Sequence, residues 1–392
     1  MASDDLIRRI NLIEILEEDD PDVPQPPDNA AEVWTEDEIR EYFATRGEKV
    51  PTTTVPAHPP VPINMKAMLA FKRGGIENLK MEEIPTPKPS IGEALIRVLA
   101  AGVNFSDTLI VAGKYNFNPT PPFTPGFEVA GEIASLGEGD TKWRVGQRVV
   151  AMPGYGGYAQ YVIAKQSALV EIAGNVDYIT AAAFPVAYTT SHLALKVKAR
   201  LQPGETLLVH GASGGVGLTA VELGAAMGAT VIATASSVAK LEVAKSKGAK
   251  HLILSSEPGV DKKVKEVTDG VGVNVVYDPV GGDMWDASIR SAANSARLLI
   301  VGFAGSKVQQ IPANILLSKN IDALGFYVGA YLAGNNADPA VIESYRDLMD
   351  MLGDGKLSPV ISHTLPLEKL VEGIAIVRDR RAQGKVVITV AH

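Results

Sequence analysis

The chain has 392 residues, 46% of them apolar, a formal net charge of −8 and no cysteine. That length can bury one large core or two, while the missing thiols exclude disulfides and thiolate metal sites outright. The acidic balance argues against nucleic acid as a partner. No uncharged apolar run reaches the length of about 18 residues that a membrane-spanning helix requires.

The start, MASDDLIRRI, lacks the cationic and apolar regions of a secretory signal and is too acidic for a transit peptide, so a cytoplasmic, membrane-free protein is expected. Residues 1–50 hold 15 acidic against 5 basic side chains, whereas the remainder of the chain is nearly balanced. Leu6, Ile7, Ile10, Ile13 and Leu16 recur at helical spacing. Thr35 and Glu38 make a capping box that opens a second short helix carrying Ile39, Tyr42 and Phe43. Proline-rich tethers follow each helix. Residues 1–64 are therefore expected to be an acidic N-terminal extension with short helices, packed on a globular domain and contributing stability rather than chemistry.

From Met65 to about Phe184 short apolar runs alternate with glycine and proline turns: MKAMLAF, GEALIRVLAAGV, EVAGEIASLG, GQRVVAM and YAQYVIA. This pattern predicts an all-β region of barrel type. From Ala187 to about Gly325 strand-like and helix-like runs alternate, as a doubly wound parallel sheet requires. The most informative stretch there is TLLVHGASGGVG, residues 206–217. An apolar strand meets a glycine cluster, then a helix of small residues, then a second strand from Thr230 to Ala235. Glycines at such a turn let the backbone approach a pyrophosphate, whose charge sits well at a helix N-terminus.

An NAD-preferring unit places an acidic residue about 20 residues past the glycines, where it holds the ribose hydroxyls. Here the second strand ends in ATASSVAK, with Ser236 and Ser237 in that place and Lys240 one turn on. Two hydroxyls and an ammonium suit a 2′-phosphate, which favours NADPH. The plainer alternative is a serine N-cap beside a solvated lysine. The tail offers a helix after Tyr345, another helix, and a closing strand GKVVITV.

Residues 65–390 resemble the zinc-independent medium-chain dehydrogenase/reductase superfamily, in its quinone oxidoreductase (zeta-crystallin-like) branch. The stretches that carry the resemblance are GVNFSDTLIVAGKY, PPFTPGFEVAGEI, VGQRVVA, LQPGETLLVHGASGGVGL, VVYDPVGGDMW, RLLIVGFAGS, IPANILLSKN and GKVVITV. The resemblance implies an α/β fold in which a GroES-like β-barrel catalytic domain is joined to a Rossmann doubly wound parallel sheet. It assigns 65–186, completed by 328–392, to the catalytic domain and 187–327 to the NADPH-binding domain. It also implies a homodimer along the Rossmann sheet edge.

Zinc-dependent members of that superfamily carry Cys-His and His-Glu pairs where this chain has Asn104-Phe105 and Phe127-Glu128. A carboxamide and a phenyl ring cannot replace thiolate and imidazole as zinc ligands, so metal-free chemistry is expected. The reaction implied is hydride transfer from NADPH to a quinone or an α,β-unsaturated carbonyl. A 2-enoyl-thioester or alkenal reductase, or a non-catalytic NADPH-binding structural protein, are the alternatives. By position, Thr190 matches the threonine that contacts the nicotinamide. Ala212, Ser213, Gly214, Gly215, Val216 and Gly217 cover the pyrophosphate, and Ser236 and Lys240 the 2′-phosphate. Phe303 lines the cofactor near the nicotinamide, and Phe326, also a cofactor-binding candidate, lies on a stretch that shapes the substrate pocket or the dimer contact. Asn104 is the first candidate for donor to the developing oxyanion, the alternative being a loop asparagine bonded to its own backbone; Asp107 reads as structural. Two departures stand out. Leu109 occupies the place of a substrate-loop tyrosine, and Ser255 that of a tyrosine that stacks near the adenine. Tyr115 and Tyr327 are the possible compensating donors.

Overall fold

The apolar runs that punctuate the sequence become three sheets in a computed structural model that describes residues 59–139, 141–305, 307–332 and 338–392. The expected helices of the acidic extension fall outside the described residues. Strands β1 (Asn64–Ala70) and β2 (Leu79–Pro85) form an antiparallel pair. β3 (Glu93–Val103), β4 (Val129–Leu136), β5 (Arg148–Ala151), β6 (Tyr161–Lys165) and β7 (Val170–Glu171) belong to a larger sheet. The barrel-type reading anticipated all of these except β2 and β7. β2 alternates apolar and charged residues along an exposed edge, and β7 has only two residues.

The parallel sheet holds β8 (Thr206–Val209), β9 (Thr230–Ala235), β10 (His251–Leu254), β11 (Val273–Asp278), β12 (Ala292–Ile300) and β13 (Asp322–Gly325). Its order is β10-β9-β8-β11-β12-β13, every pair parallel. β8, β9 and β11 are almost wholly buried, as expected of parallel strands covered on both faces. The strand order reverses beside β8, so the crevice at the carboxyl ends of the strands opens next to the turn that follows it.

The last two strands, β14 (Ile361–Pro366) and β15 (Lys385–Thr389), return to the sheet of β3, whose order is β14-β15-β3-β4-β5-β7 with β6 also paired to β3. This return fixes the site. In the antiparallel β15–β3 register Val386 lies opposite Val103, so Lys385 sits beside Asn104, one residue further on. In the β3–β4 register Ala101 lies opposite Val129, which brings Glu128 to the same place. Residues from Pro60 to His392 form one compact unit. No described helix is long and apolar enough to cross a membrane.

Candidate active site

A cleft of about 280 Å³ opens along the carboxyl ends of β8 to β12 and is closed on its far side by Val103–Phe105 and by residues 377–385. Its floor is the glycine turn. Gly211 adopts φ +59°, which disfavours a side chain there. Gly217 must lack a Cβ for a different reason: one would lie 2.2 Å from the Gly211 carbonyl oxygen. The turn thus packs directly on the helix Gly215–Ala226, whose first amides have no intrahelical acceptor. Ser213 accepts a hydrogen bond from the Gly384 amide at 2.8 Å, tying the turn to the strand that crosses it.

At the end of β9 the two serines take different places. Ser237 caps the helix Val238–Ser246, its hydroxyl accepting from the Lys240 amide. Ser236 faces the cleft, with its hydroxyl 3.4 Å from the Lys240 ammonium. Ser255 lines the same corner. Arg380, which the sequence reading did not single out, closes it. Its carbonyl accepts from the Lys240 ammonium at 3.1 Å, and its guanidinium donates to the Ala304 carbonyl on the opposite wall. The only sequence signal was the basic run Arg378, Arg380 and Arg381 ahead of the closing strand.

On the opposite wall, Asn104 lines the cleft while remaining 91% buried, with 9% exposed. Asn104 is the N-cap of the helix Phe105–Val111 and shares a capping box with Asp107. Its side-chain amide nitrogen donates to Glu128 Oε1 at 2.6 Å and the side-chain oxygen accepts from Lys385 Nζ at 2.8 Å. Lys385 also reaches Glu128 Oε1 at 2.7 Å and the Val103 carbonyl at 3.1 Å. Neither Glu128 nor Lys385 was named as functional from the sequence.

Behind this trio, fully buried Asp107 accepts from the backbone N–H of Asn104 at 2.8 Å and from the Tyr158 hydroxyl at 2.7 Å. Its other oxygen has no partner. Burial raises its pKa to about 7, against the opposing effect of those hydrogen bonds.

Tyr115 packs edge-on against Phe127, with centroids 5.2 Å apart, and against Tyr327 at 5.9 Å. Burial, and then a hydrogen bond to Tyr327, push the Tyr115 phenol well above the ordinary tyrosine range. The two proposed compensating donors therefore meet, one from each side of the fold. Tyr115 and Tyr327 do not themselves line the cleft, and neither do Ala212, Thr190, Phe303 and Phe326. Ala212 and Thr190 are buried behind it. Phe303 is half exposed, and Phe326 is buried against Tyr331.

A zinc ion does not fit these residues. Phe127 offers a ring rather than a donor, and the two oxygen donors nearby, Asn104 Oδ1 and Glu128 Oε1, are already engaged by an ammonium. Among the described residues, no group of three or more His, Cys, Asp or Glu side chains could hold a metal.

Comparison with known proteins gives matches along the whole body. Residues 90–174 match the alcohol dehydrogenase GroES-like domain family and residues 215–352 the zinc-binding dehydrogenase family. The chain is 38% identical over 304 residues to a quinone oxidoreductase-like protein 2 homolog of Nematostella vectensis, covering 76% of this chain and 82% of that one. The crystal structure of a quinone oxidoreductase from Pseudomonas syringae superposes with a TM-score of 0.77 at 31% identity, covering 83% of this chain and 99% of that one. The Escherichia coli quinone oxidoreductase complexed with NADPH superposes with the same TM-score at 26% identity, covering 83% and 99%.

Proposed function

This chain belongs to the quinone oxidoreductase branch of the medium-chain dehydrogenase/reductase superfamily, and from that premise we propose that it is an NADPH-dependent, metal-free reductase of quinones or α,β-unsaturated carbonyls. The observation that carries this reading is a single cleft lined by the glycine turn, the Ser236–Lys240 pair and Asn104. On this reading residues 65–186, completed by 328–392, are the catalytic domain and residues 187–327 the cofactor domain.

NADPH, when bound, supplies the hydride. The protein's residues hold and orient the reactants. Amides at the start of the helix Gly215–Ala226 receive the pyrophosphate. Ser236 and Lys240 receive the 2′-phosphate, with Arg380 as a second cation at that corner. Asn104 has one amide hydrogen beyond the one given to Glu128, and it donates to the substrate carbonyl oxygen as that oxygen gains charge. Burial and the hydrogen bond to Tyr327 hold the Tyr115 phenol proton, so on this reading the Tyr115–Tyr327 pair acts as a hydrogen-bond donor. Tyr115, Phe127 and Tyr327 form an aromatic cluster outside the cleft lining, and on this reading a flat, conjugated acceptor reaches it from the cleft.

A homodimer along β13 is part of the same proposal. That strand is paired on one side only, and the segment leading into it exposes Val308, Ile311 and Leu317. The function is tested by following NADPH oxidation by the purified protein with 9,10-phenanthrenequinone and with a small enone, and NADH oxidation in parallel. Rapid turnover with NADPH and slow turnover with NADH support it. Tight NADPH binding without reduction of either acceptor points instead to a non-catalytic binding protein.

A further inference from the structure

The function proposed above needs Asn104 to face its substrate with an N–H, yet a free carboxamide presents its oxygen as readily as its nitrogen. The surroundings of Asn104 remove that ambiguity. An ammonium can only donate and a carboxylate can only accept. Lys385 Nζ, 2.8 Å from one end of the amide, therefore requires oxygen there, and Glu128 Oε1, 2.6 Å from the other, requires nitrogen. Turning the amide over would set N–H against ammonium and C=O against carboxylate.

Both charged groups are themselves fully committed. The three hydrogens of Lys385 go to Val103, Asn104 and Glu128. The second Glu128 oxygen accepts from the Val186 amide at 2.6 Å. The side chains of Lys385 and Glu128 are only 4% and 0% exposed. A buried ion pair is weak as a source of net stability, because desolvation offsets most of its attraction. Its presence beside a cleft-lining amide has a better explanation in orientation. The backbone register supports this, since β3, β4 and β15 converge at this one place.

We propose that Glu128 and Lys385 are positioning residues that lock the Asn104 carboxamide with an N–H toward the substrate oxygen. The inference rests on the reductase reading and on Asn104 as the donor. The pair also leaves the cluster electrically neutral, so the donor is polarised by an ammonium at its oxygen without adding net charge to the cleft.

Three variants test this against the parent, with melting temperature and the Kd for NADPH measured alongside kcat and KM for 9,10-phenanthrenequinone. Asn104→Ala removes the donor. Glu128→Gln with Lys385→Met removes both charges and frees the amide to turn. Asn104→Asp with Glu128→Gln exchanges the amide and the carboxylate. That exchange keeps the charge count and presents only an acceptor to the cleft. At position 128 the glutamine nitrogen that donates to the new carboxylate gives up the bond from Lys385, while the glutamine oxygen still accepts from Val186.

The expected result is a drop in kcat of roughly 10²–10³ for Asn104→Ala and for the exchange variant. The charge-free variant should lose about tenfold or more in kcat. In the exchange variant the NADPH Kd should stay near the parental value and the chain should still unfold cooperatively, its melting temperature lowered only by the one lost bond, a separation that a merely structural role would not produce. Should the charge-free variant fail to fold, the exchange variant decides the matter. Parental kcat in the exchange variant, or in a folded charge-free variant, overturns the positioning role. Parental kcat in Asn104→Ala overturns the assignment of Asn104 itself. A parent that reduces no acceptor at all overturns the reductase reading.

Discussion

The two ends of the cleft are built in different ways. The proposed cofactor end consists mostly of main chain and of residues close in sequence. The glycine turn, the helix behind it and the Ser236–Lys240 pair all lie within residues 206–246. The proposed substrate end consists of side chains brought together over long distances. Lys385 is 281 residues from Asn104 and 257 from Glu128. The first end binds through geometry that a short segment can specify alone. The second exists only once the closing strand has returned to β3.

That difference predicts where single substitutions act. At the substrate end the effect should fall on chemistry. Asn104→Ala should lower kcat by roughly 10²–10³, the cost of removing one donor to a developing oxyanion, with NADPH affinity nearly unchanged. A comparable loss of NADPH affinity would merge the two ends and break the distinction.

Asp107 belongs to the same end and should make it sensitive to pH. Burial raises its pKa from 3.8 to about 7, so the folded chain holds this proton more tightly than the unfolded one. Its effect on stability is therefore neutral below about pH 4, unfavourable increasingly as pH rises to about 7, and level above. Asp107→Asn cannot titrate. The stability of the parent relative to this variant, followed by denaturant unfolding from pH 4 to pH 8, should fall by up to about 4 kcal/mol at 1.36 kcal/mol per pKa unit. A difference that stays flat across that window contradicts the buried, proton-holding carboxyl.

At the cofactor end the effect should fall on binding. Lys240→Ala should weaken NADPH by about 1–3 kcal/mol, the scale of a charge-assisted hydrogen bond, and leave NADH almost untouched. Arg380→Ala should act in the same direction but less, because its guanidinium is shared with the Ala304 carbonyl. Equal losses for both cofactors in a titration would remove the 2′-phosphate from this corner. The smallest effect on chemistry is expected from the acidic extension. A chain beginning at Pro60 should keep a similar kcat while melting lower, and loss of turnover without loss of stability would draw the extension into the active site.

The same contrast explains what could be read from the sequence. The glycine turn, β8, β9 and the Ser236–Lys240 corner were legible because their signals are local: an apolar run, a glycine cluster and a cap within one short stretch. The pairing of Tyr115 with Tyr327 was half legible, since both were named but nothing in the chain said that they meet. Glu128, Lys385 and Arg380 were not singled out. In the sequence, Glu128 was only the residue beside a lost metal ligand, and Lys385 was one letter of a closing strand. Their roles arise from strand register, which a linear pattern does not carry. Asp107 was read as structural, and its hydrogen bonds to Asn104 and Tyr158 fit that reading. Its raised pKa needs the surrounding burial to be seen.

The central claim is that this cleft performs hydride chemistry with an amide donor where zinc-dependent relatives of the fold hold a metal. It is tested most directly by measuring NADPH-dependent reduction of 9,10-phenanthrenequinone before and after exhaustive treatment with EDTA and phenanthroline. Unchanged kcat and KM after chelation are predicted, because Asn104, Phe127, Glu128 and Lys385 offer no vacant zinc site. Loss of turnover on chelation, restored by added Zn²⁺, would contradict the account.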